Sequence, residues 1–293
     1  MKSTFWYAPI FILIWSTGFI IARYGMPYSE PMTFLFLRFA GVVVCMIPVL
    51  LWLKPTWPSG KQILHIAIAG ALFQFCYLGG VWVAVKQGMP AGLAALIVGL
   101  QPILTAILAS VVSERVTARQ WLGLVLGLVG VALVLFAKID IDGLTGACIG
   151  FAFAGMISIT LATLYQKRFC PSFDLRTGSV IQFSTSALLC MIMMFLFETR
   201  EIQWTVPMIG ALIWGILPIS IGAMSLWFML LRRGDATKVS SVMYLTPPTT
   251  ALMAWLLFDE PLSAPILLGT LITMLGVLIV NQTTLPTWLK KQA

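Results

Sequence analysis

The chain has 293 residues, of which 60% are hydrophobic and only 10% are charged, and its formal net charge is +8. Soluble domains carry roughly 25% charged residues, so this composition excludes an ordinary soluble protein and indicates a chain embedded in a lipid bilayer. The positive charge does not indicate a nucleic-acid partner, because the arginines and lysines concentrate in the predicted loops on one side of the membrane.

Apolar runs of about 20 residues recur along the chain, and each can cross a bilayer core of about 30 Å as a helix. They predict an all-α integral membrane protein with ten transmembrane helices, called spans 1 to 10 here. Span 1 has no small-residue cleavage pattern after it, so we expect a retained helix and not a signal peptide. The predicted limits are residues 5–23, 32–53, 63–85, 91–113, 119–137, 144–165, 177–197, 207–230, 238–257 and 264–281.

The charges in the loops predict the orientation of these spans. Thirteen arginines and lysines fall on the side of the N-terminus and four on the opposite side, while the eighteenth, Arg38, falls inside span 2. Cytoplasmic loops carry an excess of positive residues, so we expect the N- and C-termini to be cytoplasmic. The compact loops favour the cell (inner) membrane of a prokaryote.

The two halves of the chain match each other at an offset of 146 residues. The matching positions carry residues that begin, bend or tighten helices: Gly88 and Gly234, Pro102 and Pro248, Glu114 and Glu260, Gly123 and Gly269, and Gly130 and Gly276. A repeat with an odd number of spans inserts into the membrane in opposite orientations. The sequence therefore predicts two inverted five-helix repeats, residues 1–143 and 144–293, which together form one membrane domain.

Three stretches resemble the EamA family of the drug/metabolite transporter superfamily. Residues 14–23 read IWSTGFIIAR, similar to the family's early Trp-small-x-x-aromatic signature, and residues 34–39 read FLFLRF with the arginine often found there. Each half then has Gly, Pro and Glu in order and a Gly-rich last span. The resemblance implies a carrier with a cavity lined mainly by spans 1, 3, 4, 6, 8 and 9, and it favours export. One departure is Pro247-Pro248 where the first half has Gln101-Pro102.

Arg38 is the one charged residue that we place clearly within a predicted span. A charge at that depth costs about 2.5–3.5 kcal/mol on insertion scales, so it must face protein or water. Two roles stay open. Arg38 either binds an anion or gates the outer mouth, or it is a structural residue bonded to helix-end carbonyls or to Glu30.

Pro102 and Pro248 fall in the middle of spans 4 and 9. Because proline lacks a backbone donor and clashes with the preceding turn, we expect both spans to kink at equivalent depths. The kinks are candidate hinges or gates, and a role in packing alone is the alternative. Gln101 and Tyr244 lie beside these kinks and are therefore candidate substrate contacts.

Polar and aromatic residues share faces on several spans, as Trp15 and Phe19 do at i,i+4. Such faces suit an amphipathic organic solute, and packing against lipid or neighbouring helices is the alternative for each residue. The glycines of spans 5 and 10 predict close helix contact, as a scaffold pair or as the surface of a homodimer. The candidate substrate-binding residues are Trp15, Phe19, Arg38, Gln74, Tyr77, Gln101, Ser158, Ser220, Trp227 and Tyr244.

These features predict a secondary transporter that exports small organic solutes, such as amino acids or other metabolites, by alternating access. The alternatives are a channel-like permease and an exporter of cationic or aromatic drugs. A membrane enzyme would need a nucleophile, a base or metal ligands at membrane depth, and the sequence has one peripheral histidine, His65, and no acidic pair there. No metal-binding or phosphate-loop pattern appears, so we expect neither a metal nor a cofactor.

Overall fold

The computed structural model describes residues 6–89, 94, 97–136, 145–258 and 264–281, and these are almost entirely helical. Within them, the extended pairing is limited to an isolated antiparallel bridge between Ser29 and Ile202. The helices are α1 (Tyr7–Gly25), α2 (Pro31–Leu53), α3 (Gly60–Lys86), α4 (Gln101–Ile107), α5 (Ala118–Phe136), α6 (Gly146–Phe169), α7 (Leu175–Phe197), α8 (Val206–Arg233), α9 (Ala236–Ser241), α10 (Thr246–Phe258) and α11 (Ala264–Asn281).

Six of these helices, α2, α3, α6, α7, α8 and α11, are long and apolar enough to cross a membrane within the described residues. α1 and α5 carry shorter apolar stretches, Tyr7–Gly18 and Ala118–Val134. Helices suit this setting because every backbone group away from water must be hydrogen-bonded within the chain. The chain is therefore a multi-pass membrane protein. The prediction of an all-α membrane protein is confirmed, while the count of ten spans and the inverted repeat stay predictions.

Local sequence explains where several of these helices begin. Thr145 and Thr205 accept hydrogen bonds from the backbone N–H groups of Cys148 and Met208, at the first turns of α6 and α8. Asp174 does the same for Arg176 in α7. These side chains satisfy donors that the first turn of a helix leaves free, and they stabilise a helix end by about 1 kcal/mol each.

The helices form a central group and a peripheral pair. In the central group, α3 packs on α6 and α7, α2 packs on α7, and α1 packs on α8 and α10. A large apolar core lies among these helices and contains Phe34, Phe73 and Trp227. The peripheral pair is α5 and α11, which pack along their length around a second, smaller core.

The pairing of α5 with α11 depends on glycine. A Cβ atom at Gly276 would lie 2.5 Å from the backbone nitrogen of Gly127, and one at Gly130 would lie 2.6 Å from the carbonyl oxygen of Gly269. Neither gap admits a side chain. This glycine seam confirms the close contact predicted for spans 5 and 10. Its glycines are covered within the chain, and the homodimer stays a prediction.

Two of the long helices contain a π-helical segment, Ala71–Leu78 in α3 and Gly215–Ala223 in α8. Adding the 146-residue offset to the limits of the first segment gives residues 217–224, and the limits of the second segment differ from these by at most two positions. Pro218 lies inside the second segment and removes a backbone donor there. Such wide turns occur frequently at functional sites, and each of these two holds a buried polar residue, described below.

The prediction that Pro102 and Pro248 lie in mid-helix needs correction. Pro102 is the second residue of α4, directly after a turn at residues 99–100. Pro248 is the third residue of α10, and a 3₁₀ turn (Val242–Leu245) separates α10 from α9. A proline is tolerated in the first turn of a helix because the N–H it lacks would have no partner there. Regular α-helix thus gives way to a turn before Pro102 and to a 3₁₀ segment before Pro248, and the hinge role stays a prediction.

Candidate functional site

An aromatic cluster lies where α1, α3 and α8 meet. The ring of Phe11 stacks on Trp15 at 5.5 Å between centroids and contacts Trp227 at the same distance. Phe73 lies 6.0 Å from Trp227 and 6.3 Å from Trp15, and Tyr77 lies 5.9 Å from Phe73. All five side chains are buried. Aromatic pairs at these separations add about 0.5–1.5 kcal/mol to their area burial, so the cluster is a rigid apolar wall.

Arg38 extends from α2 to the π-helical segment of α8. Its Nε donates to the carbonyl oxygen of Gly215 at 3.1 Å and to Ser220 Oγ at 2.8 Å. The side chain is 3% exposed, and Arg38 is the sole charged residue among the buried polar residues of the described ranges. Nη1 and Nη2 form no hydrogen bond with any described residue. The guanidinium group is therefore positioned by one edge while its other edge is unused.

Glycine at position 215 is what lets Arg38 lie against α8. A Cβ atom there would lie 3.2 Å from Arg38 Cδ and 3.2 Å from Ile21 Cδ1. The suggestion that Arg38 pairs with Glu30 is wrong, since the Glu30 carboxylate accepts hydrogen bonds from the backbone of Thr199 and Arg200. The alternative of a helix-end carbonyl stays open, because the carbonyl oxygen of Gly215 lies where the α-helical part of α8 gives way to its π-helical segment.

Gln74 and Tyr77 bring further polar groups to this region from α3. Gln74 is 1% exposed and its Nε2 has no hydrogen-bond partner among the described residues. Tyr77 belongs to the aromatic cluster and shares its π-helical segment with Gln74. Arg38 bonds Ser220 on α8, and Trp227 of the aromatic cluster follows about two turns later on the same helix. Ser220, the other buried polar residue, is also 1% exposed.

Five of the predicted substrate-binding residues therefore meet Arg38 or the aromatic cluster, or lie in the same π-helical turn. They are Trp15, Gln74, Tyr77, Ser220 and Trp227. Sequence reasoning missed Phe11 and Phe73, although each lies at i,i+4 from a predicted residue, the spacing that places two side chains on one helical face. Whether the set binds a substrate stays a prediction.

The other predicted residues lie elsewhere. Gln101 donates from Nε2 to Thr163 Oγ1 on α6 at 3.3 Å, and its Oε1 has no partner in the described part of the chain. Ser158 is half-buried on α6. Tyr244 packs against Gly127 in the second core and not with the aromatic cluster. Phe19 lies in α1, and its side chain is outside the described part.

Two glutamates join helices at opposite ends of the molecule. Glu198, at the end of α7, accepts hydrogen bonds from the backbone of Met32 and Thr33, at 2.6 and 2.7 Å, in the first turn of α2. Glu114 accepts from the backbone of Ala236 at 2.6 Å and of Thr237 at 3.3 Å, where α9 begins. A carboxylate at a helix N-terminus satisfies free donors and the helix dipole. Glu114 thus caps the start of α9, and its repeat counterpart Glu260 lies outside the described residues.

Basic side chains reinforce the end that carries Glu114. Lys167, in the last turn of α6, donates to the carbonyl oxygens of Leu231 at 2.9 Å and of Gly234. Arg168 donates to the carbonyl oxygen of Val111 at 2.6 Å. Cations beside the final carbonyls of a helix are favourable for the same reason that anions suit its start. The aromatic cluster is thus enclosed by helices that are joined at both ends.

Polar and aromatic side chains are thus buried among helices, including α3 and α8, that are long and apolar enough to cross a membrane. The profile of the EamA-like transporter family matches residues 3–136 and 146–282, so the chain belongs to this family, within the drug/metabolite transporter superfamily. Each half of the chain carries one of the two matches.

Curated relatives extend over nearly the whole chain. The uncharacterized transporter YvbV of Bacillus subtilis is 27% identical over 92% of this chain and 88% of its own length. The probable amino-acid metabolite efflux pump of Escherichia coli is 26% identical over 93% and 92%. The uncharacterized inner membrane transporter YedA of Escherichia coli is 24% identical over 86% and 81%. A solved crystal structure shares the fold, with a TM-score of 0.78, 19% identity and coverage of 95% of this chain and 97% of the other.

Proposed function

We propose that this protein is a secondary transporter that exports small organic solutes, amino acids among them, across the cytoplasmic membrane. The observation that carries the proposal is the buried group formed by Arg38, Gln74, Ser220 and the aromatic cluster, in a chain of a transporter family. A relative named as a probable amino-acid metabolite efflux pump supports both the substrate class and the direction. The solute leaves chemically unchanged, and both chain termini are cytoplasmic.

Transport proceeds by alternating access, in which one end of the carrier opens while the other stays closed. Glu198 and Glu114 each join a helix of one predicted repeat to a helix of the other. These contacts are made by side chains, so they can separate without loss of helical hydrogen bonds. The interruptions before Pro102 and Pro248 supply places where α4 and α10 can change direction. The two predicted repeats then rock about the central site.

Counterflow into proteoliposomes tests the transport step. Vesicles containing the purified protein are loaded with an unlabelled amino acid, and uptake of the same labelled amino acid is followed across a panel of amino acids. We expect saturable uptake that requires internal substrate, with the labelled compound recovered unchanged. Uptake that rises linearly with concentration indicates a channel-like permease, and a modified product indicates an enzyme.

A matched pair of tryptophan variants connects transport to the site. Trp15→Ala removes a ring of the aromatic cluster, whereas Trp52→Ala changes a tryptophan at the exposed end of α2. We expect counterflow to fall at least tenfold for the first variant and to stay near the wild-type rate for the second. Both proteins must elute as single peaks on size-exclusion chromatography. Equal rates for the two variants contradict the assignment of the site.

A further inference from the structure

Arg38 is buried, and most of its hydrogen-bond donors have no partner among the described residues. The guanidinium group carries five N–H donors, and the described acceptors, the carbonyl oxygen of Gly215 and Ser220 Oγ, both take the single donor on Nε. A charge held away from water is costly unless an opposite charge or hydrogen bonds compensate it. The free edge, with Nη1 and Nη2, has the geometry that binds a carboxylate through two parallel hydrogen bonds.

The charge around Arg38 is positive within the described residues. Arg38 is the sole charged residue among the buried side chains of the described ranges, and no aspartate or glutamate lies among them. The four described glutamates at helix ends, such as Glu198 and Glu114, are exposed or half-buried at the two ends of the molecule. The site therefore carries a net positive charge. A cationic solute would be repelled there, and an anionic group would be attracted.

The aromatic cluster offers a wall for the apolar part of the solute. Arg38 bonds Ser220 on α8, the helix that also carries Trp227, and the Phe73 ring lies 6.0 Å from Trp227 and 6.3 Å from Trp15 between centroids. Gln74, whose Nε2 has no described partner, adds a neutral donor on the same π-helical turn as Tyr77. Binding sites for organic molecules combine such an apolar wall with a few oriented polar groups.

We propose that the solute is an organic carboxylate with an apolar or aromatic tail, bound with its carboxylate on Nη1 and Nη2 of Arg38 and its tail against the aromatic cluster. This inference rests on the proposed transport function and narrows its substrate class. The hydrogen bonds from Nε to Ser220 and Gly215 orient the guanidinium group and leave Nη1 and Nη2 for the carboxylate. A solute with an amine but no carboxylate is a poor substrate of the same site.

Three compounds that share a phenyl ring test whether binding depends on the carboxylate or on the amine. Phenylalanine has both groups, 3-phenylpropionate lacks the amine, and phenethylamine lacks the carboxylate. Binding to the detergent-solubilised full chain is measured by the shift in melting temperature, and transport by counterflow. Sodium chloride at the same ionic strength serves as the inorganic anion. We expect the two carboxylates to raise the melting temperature and to exchange, with phenethylamine and chloride giving neither effect.

Arg38→Gln tests the residue, with Arg115→Gln as the control because Arg115 is exposed in the connection between α4 and α5. We expect Arg38→Gln to weaken binding of both carboxylates at least tenfold and Arg115→Gln to leave it unchanged. Arg38→Lys keeps the charge without the bidentate edge, so we expect partial recovery. This series stays informative if Arg38→Gln folds poorly, because the wild-type comparison of the three compounds does not require a variant.

The outcomes separate the inference from the transport function. Carboxylate-dependent stabilisation without counterflow supports the site and contradicts transport. Counterflow of phenethylamine, or exchange of carboxylates that Arg38→Gln leaves unchanged, contradicts the inference while transport stands. Stabilisation by chloride alone, or no effect of any compound on binding and exchange, also overturns it.

Discussion

Gln74 and Ser220 lie 146 positions apart, each inside a π-helical segment of a long helix, and each is 1% exposed. The offset between them is the one that relates the two halves of the sequence. Each half therefore contributes one buried polar side chain to the region of the aromatic cluster from an equivalent wide turn. Gln74 carries an amide and Ser220 carries a hydroxyl group, so the two halves contribute different chemistry to this region.

Ser220→Ala tests the support of the guanidinium group. Loss of the hydroxyl leaves Nε with the carbonyl oxygen of Gly215 alone. Hydrogen bonds to charged groups contribute about 1.5–3 kcal/mol, so we expect the apparent KM for a carboxylate to rise roughly tenfold in counterflow. Ser172→Ala changes an exposed serine and is the control. An unchanged KM for Ser220→Ala would show that the hydroxyl does not orient Arg38.

Gly215→Ala tests the space that Arg38 occupies. The new methyl group would lie 3.2 Å from both Arg38 Cδ and Ile21 Cδ1, tighter than ordinary contact, so the arginine must move. We expect the initial rate of counterflow to fall several-fold. Gly210→Ala on the same helix is the matched control, because nothing lies within 4 Å of its added methyl group. Equal rates for the two variants would contradict the prediction.

Gly276→Ala tests the glycine seam between α5 and α11. Its methyl group would lie 2.5 Å from the backbone nitrogen of Gly127 and 2.6 Å from the carbonyl oxygen of Gly123, and neither atom can turn aside as a side chain can. Overpacking of this kind costs about 1–3 kcal/mol, so we expect a lower melting temperature in detergent. Gly150→Ala, which meets open space on α6, should leave the melting temperature unchanged or slightly raised.

Cys170 supplies a test of pH dependence at the end of α6. Burial raises the pKa of this thiol to about 11, because the thiolate loses hydration there. With this pKa the protonated thiol dominates at neutral pH, and only the thiolate alkylates readily. We therefore expect the alkylation rate of Cys170 to rise about tenfold per pH unit up to pH 10. The measurement uses iodoacetamide on a chain with Cys45, Cys76, Cys148 and Cys190 replaced by alanine. Glutathione is the reference, and its rate should level off near pH 9. A plateau at that pH for Cys170 would contradict burial.

Several features could be predicted because they depend on residue type alone. The depth of Arg38 follows from one charge within an apolar run, and the contact between spans 5 and 10 follows from glycines at helical spacing. Burial of individual tryptophans is harder, since lipid and protein interior are equally apolar. Trp15, Trp82 and Trp227 are buried, whereas Trp214 and Trp255, which also fall within predicted spans, are 46% and 44% exposed.

The π-helical and 3₁₀ turns explain what sequence reasoning missed. The segment Ala71–Leu78 contains no proline, so nothing in its residue types distinguishes it from an ordinary α-helix. The 3₁₀ turn Val242–Leu245 has about three residues per turn in place of 3.6, which changes the direction of the side chains it carries. Tyr244 belongs to this turn and packs on α5, although its position beside Pro248 predicted a substrate contact.

The glycine seam makes the final helix of the first half the partner of the final helix of the second. Two separate five-helix chains could meet along the same surface, but their encounter would depend on how many copies the membrane holds. Here both surfaces belong to one polypeptide, so the effective concentration of one surface near the other is fixed and high. Assembly of the two halves is therefore independent of expression level, and a cell that makes few copies still obtains complete transporters.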